Sequence, residues 1–115
     1  IPVPLHKTKV RERGYNQSEY LVKGLSGNLN IPFLFDTITR KRYTKSQTKL
    51  TLIEREKNIK DAFSLNSKYK NELDNKTIIL LDDVITTGAT VNECIKVLSE
   101  AGVNKIFTVS LAMAE

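Results

Sequence analysis

A chain of 115 residues with 40% hydrophobic side chains has apolar content for one buried core and too little length for two, so a single domain spanning residues 1–115 is expected. No apolar run approaches the roughly 20 residues of a membrane-spanning helix, nothing at the N-terminus has the layout of a secretory signal, and one cysteine with one histidine excludes an internal disulfide and a soft-ligand zinc site. The formal net charge of +5 favours a polyanionic or phosphorylated partner, and the cysteine usage fits a soluble, cytoplasmic domain.

In chain order, residues 1–5 form a short apolar run in which Pro2 and Pro4 withhold two backbone donors, so an extended segment at a sheet edge or entry is expected. Residues 6–14 carry His6, Lys7, Lys9, Arg11 and Arg13 against Glu12 and end at Gly14, which reads as a basic loop. Asn16 and Glu19 have the spacing of a capping box, and Leu21, Leu25 and Leu29 repeat at helical intervals until Pro32, predicting a helix over residues 17–29. A second strand is expected at residues 31–35, then an exposed polar loop over residues 39–50. Thr51 and Glu54 suggest another capped helix to about residue 59, with a return strand at residues 62–65 and a polar connection over residues 68–76.

Residues 77–81 are a continuous apolar run closed by Asp82 and Asp83, as in a central parallel strand covered on both faces. Thr90 and Glu93 offer a third capping box, Val91, Cys94, Ile95, Leu98 and Ala101 form an apolar stripe, and Gly102 is a stop, predicting a helix over residues 91–101 with Cys94 as packing. Residues 106–113 complete a strand, helix, strand unit as a last buried strand, for which a right-handed crossover is expected.

The chemistry concentrates in residues 78–90, where two carboxylates at the end of a buried strand precede a small hydroxyl-rich turn and a helix start. Ligands bind at this place in open parallel sheets. Backbone N–H groups, the hydroxyls of Thr86, Thr87 and Thr90, and the positive end of the next helix suit a phosphate monoester, with Gly88 allowing close approach. Asp82 and Asp83 are poorly placed for that anion, yet their acceptor oxygens suit neighbouring sugar hydroxyls, directly or through metal-bound water. A ribose 5-phosphate combines both features.

This stretch resembles the phosphoribosyl pyrophosphate motif of type I phosphoribosyltransferases: four apolar residues, two acids, then Thr-Thr-Gly-x-Thr. The resemblance implies an α/β fold with a mostly parallel sheet flanked by helices. It further implies that Asp82 and Asp83 contact the ribose hydroxyls and hold Mg²⁺ through water, and that Thr86, Thr87, Gly88, Ala89 and Thr90 wrap the 5′-phosphate of phosphoribosyl pyrophosphate. Val3-Pro4-Leu5, the run from Arg11 to Gln17, and Thr44, Gln47, Leu50, Arg55, Asn58, Ala62 and Phe63 extend the resemblance to the ComF family over nearly the whole chain. That family is associated with DNA uptake in natural competence, and many members carry an N-terminal four-cysteine zinc module. The chain is therefore expected to be the C-terminal part of a longer protein, without that module here.

By the same resemblance, the basic segment stands where these enzymes bind pyrophosphate, with Arg11 and Arg13 the first choices for the leaving group and Lys7 and Lys9 beside them. Residues 40–49 resemble the loop that closes over substrate, Lys41, Arg42, Lys45 and Lys49 being contributors. The expected activity is Mg²⁺-dependent transfer of a phosphoribosyl group to an unidentified acceptor. The alternative is a single-stranded-DNA-binding adaptor acting with competence proteins on the same fold, in which basic residues contact phosphates and Tyr15, Tyr43 and Tyr69 stack on bases.

Overall fold

The structure, a computed structural model, describes residues 1–5, 7–40, 53–54, 60, 62–85 and 88–114. Its elements are α1 (Lys7–Arg13), α2 (Gln17–Leu29), β1 (Ile38–Arg40), β2 (Phe63–Leu65), a 3-10 turn (Ser67–Tyr69), β3 (Thr77–Ile85), α3 (Ala89–Glu100) and β4 (Lys105–Met113). The class is α/β, as the sequence implies.

The organising strand is β3. It pairs in parallel with β4 from Thr77↔Lys105 to Ile85↔Met113, and its other edge takes up the chain start. There Ile1 N donates to Ile79 O, Leu81 N to Ile1 O and Val3 N to Leu81 O, each at 2.9 Å. In such a ladder only alternate residues of one strand donate to the partner, so the missing donors of Pro2 and Pro4 fall on the outward positions and cost nothing.

Side-chain alternation gives β3 two apolar faces. Leu80 joins Val91, Cys94 and Leu98 of α3 in the core together with Val3, Ile38, Ala62, Phe63 and Leu73. Ile79 and Leu81 instead share a cavity wall with Val22 and Leu25 of α2. The two helices therefore cover opposite faces of the strand. The stripe predicted for α3 holds, and so do the bounds of α2, where the Asn16 side chain accepts from Ser18 N at 3.1 Å. Burial raises the Cys94 thiol to about 12, with the charge of Asp82 acting in the same direction, so Cys94 is an inert packing group as expected.

Several elements differ from the sequence reading. The basic segment is the short helix α1, because Lys, Val, Arg and Glu are adequate helix formers, and Gly14 ends it with its N–H on Val10 O at 2.7 Å. Residues 31–35 form no strand, and Phe33 lies exposed. The strand comes later, as β1, because Thr37 and Ile38 are the buried residues and β2 pairs antiparallel with Ile38–Arg40, Thr39 opposite Ser64.

The connection after β2 is less polar in role than in composition, since Leu73 is fully buried. β3 continues through the two aspartates to Ile85 rather than stopping before them. α3 opens at Gly88, with no side-chain cap, so Thr90 does not serve as one. β4 is exposed along most of its length, with Phe107, Val109, Leu111 and Met113 on one face. Composition marked it as buried, whereas no described helix lies over that face. Of the helix expected at residues 51–59, Ile53 and Glu54 are helical and the remainder lies outside the described residues. The turn before β4 depends on Gly102, at φ +86°, where an added Cβ would come within 2.5 Å of Asp74 Oδ1, a position no other residue fits without displacement. No helix among the described residues is long and apolar enough to cross a membrane.

Candidate functional site

β3 leaves the core at Leu81, and the next two residues, Asp82 and Asp83, are half-buried. Each carboxylate turns back on the following amide: Asp82 Oδ1 accepts from Asp83 N at 2.9 Å and Asp83 Oδ1 from Val84 N at 2.8 Å. The remaining oxygens are acceptors for an external donor or cation. Burial pushes the Asp82 carboxyl up to about 7, helped by its side-chain hydrogen bond with Asp83 and by the Asp83 charge, while the Asp83 N–H and the Ser18 side chain act against the rise. An acid pair of this kind holds a proton readily near neutrality and releases it when a cation or a set of hydroxyl donors arrives.

The acids face a cavity of about 130 Å³. Its walls come from residues 3–5, Arg13, the start of α2 at Asn16, Gln17 and Ser18, Arg40 at the end of β1, and Thr90 in the first turn of α3. The helix start at Ser18 fits there because the N-terminal end of a helix carries partial positive charge that offsets two carboxylates. A larger groove of about 710 Å³ lies alongside, sharing Pro4, Leu5, Asn16 and Arg40 with the first and adding Arg11, Glu19 and Asp36. Proline and the capped turn of α2 make the shared wall stiff. Asn16 is buried, and its side chain both caps α2 and donates to Val3 O at 3.2 Å, tying the wall to the β3 edge.

Of the residues singled out in the sequence, Asp82, Asp83, Arg13 and Thr90 therefore meet in one cavity. Arg11 lines the adjoining groove instead. Gly88 takes φ +84° at the start of α3, the left-handed geometry that favours glycine. Ala89 packs its methyl against the core, so only its backbone faces outward. Thr86 and Thr87 lie outside the described residues, as do His6, Tyr43 and residues 41–50. Tyr69 packs against the core, which removes it from the stacking candidates.

Two wall residues were not singled out in this role. Ser18 carries a helix-start position, and its approach to Asp82 is set by how α2 lies on β3. Arg40 read as part of a polar loop over residues 39–50. It instead ends β1, its guanidinium 5.3 Å from the centre of the Phe63 ring, lining the acid cavity and acting on the Cys94 thiol in the direction opposite to Asp82. Its position depends on the β1–β2 pairing and has no local sequence signal.

Comparison with known proteins places the chain in a family. Residues 16–114 match the model of the phosphoribosyl transferase domain family. Competence protein F of Haemophilus influenzae is 44% identical over 114 residues, covering 99% of this chain and 49% of the relative. DNA utilization protein YhgH of Escherichia coli K12 is 34% identical over 102 residues, covering 89% of this chain and 43% of the relative. Competence protein ComFC of Bacillus subtilis is 32% identical over 102 residues, again 89% of this chain and 38% of the relative. The chain thus spans less than half the length of these relatives. No solved structure matches it.

Proposed function

This chain belongs to the phosphoribosyl transferase domain family, as a ComF-like member, and on that premise we propose that its acid-lined cavity binds the ribose 5-phosphate part of phosphoribosyl pyrophosphate and supports transfer of the phosphoribosyl group. The observation that carries this reading is the placement of Asp82 and Asp83 in one cavity with Arg13 and with Thr90 at the start of α3. In this reading the acids accept hydrogen bonds from the 2′- and 3′-hydroxyls. Residues 86–90 and the positive end of α3 hold the 5′-phosphate, and Arg13 with Arg11 draws off pyrophosphate.

The transfer breaks the bond from C1 to the pyrophosphate oxygen, which leaves with the electron pair, while an acceptor atom bonds to C1. The chain's contribution is position and charge: the diol is fixed, the leaving group meets arginine, and the ring is kept at the carboxyl end of the sheet. Two neighbouring carboxylates fit Mg²⁺, which takes one or two protein carboxylates and completes its shell with water and substrate oxygens. Asp82 and Asp83 would hold it through water, and it would offset pyrophosphate charge.

The names of the relatives, Competence protein F and DNA utilization protein, support a role for the parent protein in DNA uptake and use. The net charge of +5 favours a second reading beside the first, contact with single-stranded DNA by the same domain without turnover.

Ribose 5-phosphate and 2-deoxyribose 5-phosphate differ by one of the hydroxyls assigned to the acids. Ribose 5-phosphate at about 100-fold its Kd should stabilise the domain by about 2.7 kcal/mol in thermal melts. The deoxy sugar should bind roughly tenfold or more weakly, since a hydrogen bond to a charged group is worth about 1.5 to 3 kcal/mol. Equal stabilisation by the two sugars at equal concentration contradicts the assignment of the acids to the diol.

A further inference from the structure

Outside the acid cavity, the described surface carries one run of rings. Tyr15 and Tyr20 meet edge to face with centroids 5.6 Å apart. The Lys23 ammonium, one turn along α2, stands 5.9 Å from the centre of the Tyr20 ring and 5.6 Å from that of Phe35. Phe35 then meets Phe33 at 4.8 Å, tilted by 33°. Tyr15, Tyr20 and Phe33 are 46%, 63% and 45% exposed. Four rings and a cation thus form a continuous strip in which each ring centre lies within 6 Å of the next member.

The strip begins at Tyr15, between Gly14 and Asn16, which both line the groove beside the acids, and it runs away from them along α2 to the segment before β1. A contiguous exposed run of rings marks an interaction surface, unlike single apolar side chains scattered over a surface. A purely apolar partner would gain nothing from an ammonium placed between the rings. Flat, electron-rich ligands with an anionic backbone suit both features: bases stack on exposed rings, and Lys23 meets a phosphate or lies over a stacked ring. The basic helix α1, ending in Arg11 and Arg13, adjoins Tyr15 and extends the positive field.

We propose that the strip Tyr15, Tyr20, Lys23, Phe35 and Phe33 is a stacking track for single-stranded nucleic acid that leads along α2 to the acid cavity. The track gives the nucleic-acid reading above a place on the molecule, and it does not depend on the phosphoribosyl pyrophosphate site. Because duplex DNA hides its base faces, the track should prefer single strands. Stacking without hydrogen bonds to base edges implies weak sequence preference.

The test is fluorescence anisotropy with labelled oligothymidylate and with a duplex of equal length, using the 115-residue protein and its variants. Stacking is worth about 1 to 3 kcal/mol per base, so Tyr20→Ala should weaken oligothymidylate binding roughly fivefold or more, whereas Tyr20→Trp, which keeps a ring, should bind as the parent does. Lys23→Gln should reduce the dependence of log affinity on log salt by about one contact. Phosphoribosyl pyrophosphate affinity should be the same in Tyr20→Ala as in the parent, which separates failure of the track from failure of the transferase reading. The exposure of Tyr20 makes loss of folding an unsuitable explanation for weaker binding, and circular dichroism verifies it. Unchanged oligonucleotide affinity in Tyr20→Ala overturns the proposal, as does equal or stronger binding of the duplex. A change in sedimentation on Tyr20→Ala with no change in oligonucleotide binding also overturns it, and assigns the strip to a protein contact.

Discussion

Replacement of Asp82 and Asp83 together by asparagine is expected to weaken phosphoribosyl pyrophosphate binding at least roughly tenfold. The two amides keep the size of the side chains and can keep the local bonds to Asp83 N and Val84 N, which use one oxygen of each residue. They lose the second acceptor and the charge. An amide turns an N–H₂ toward the cavity, where a ribose hydroxyl would need an acceptor and a cation would meet a donor. With each lost charge-assisted hydrogen bond worth about 1.5 to 3 kcal/mol, tenfold is a lower bound that allows for partial replacement by water. Calorimetric titration of the variant measures it, with a thermal melt to establish that the variant is folded. Unchanged affinity in a folded double variant would remove the acids from the binding site.

The single change Asp82→Asn is expected to have the opposite effect on stability. Asp82 titrates at about 7 in the folded chain, above the ordinary value of 3.8, because burial disfavours the charged form and the Asp83 charge adds to the cost. Well below 3.8 the carboxyl is protonated in both folded and unfolded chains and makes no difference. Between 4 and 7 the folded chain holds a proton that the unfolded chain has lost, so stability falls as pH rises. Above 7 the whole cost of the buried charge is present. Asparagine carries no such cost. Because the carboxyl retains contact with solvent, its screened contribution is taken as roughly 1 kcal/mol, which corresponds to about 4 to 8 °C in Tm for a domain near this size. Melts without Mg²⁺ should show that gain at pH 8, a smaller one at pH 5 and almost none at about pH 2.5, well below both values. A variant less stable than the parent at pH 8 would contradict the buried, charge-strained state of Asp82. Together the two variants describe an acid pair kept at a cost to folding, as binding sites commonly are.

The residues that announce this site in the sequence are those whose role is local. The motif from Ile78 to Thr90 is contiguous, so its strand, acids and helix start could be read in order. The bounds of α2 were equally legible, because its cap and Pro32 lie within one stretch, although Val22 rather than the exposed Leu29 proves to be its buried apolar residue. What escaped depends on contacts distant in the chain. β1 is three residues long and gains its pairing from a strand 25 positions away, Thr39 against Ser64. Arg40 reaches the acid cavity only because that pairing exists. Ser18 reaches Asp82 only because α2 packs on the Ile79 and Leu81 face. α1 was hidden by its charges, since a seven-residue helix without an apolar stripe has no periodicity to read. The apolar run of β4 was legible as strand, but whether a neighbour covers a sheet face is a property of the assembled fold, and Leu111 and Met113 are 70% and 78% exposed.

The central claim, that the cavity under Asp82 and Asp83 is a phosphoribosyl pyrophosphate site completed by Mg²⁺, is tested most directly by calorimetric titration of the unaltered protein with phosphoribosyl pyrophosphate, with and without Mg²⁺. The account predicts saturable binding near one ligand per chain that tightens when Mg²⁺ is present, because the cation joins the acid pair to the ligand oxygens. Absence of heat and of any Tm shift under both conditions would contradict it, and so would binding that Mg²⁺ leaves unchanged.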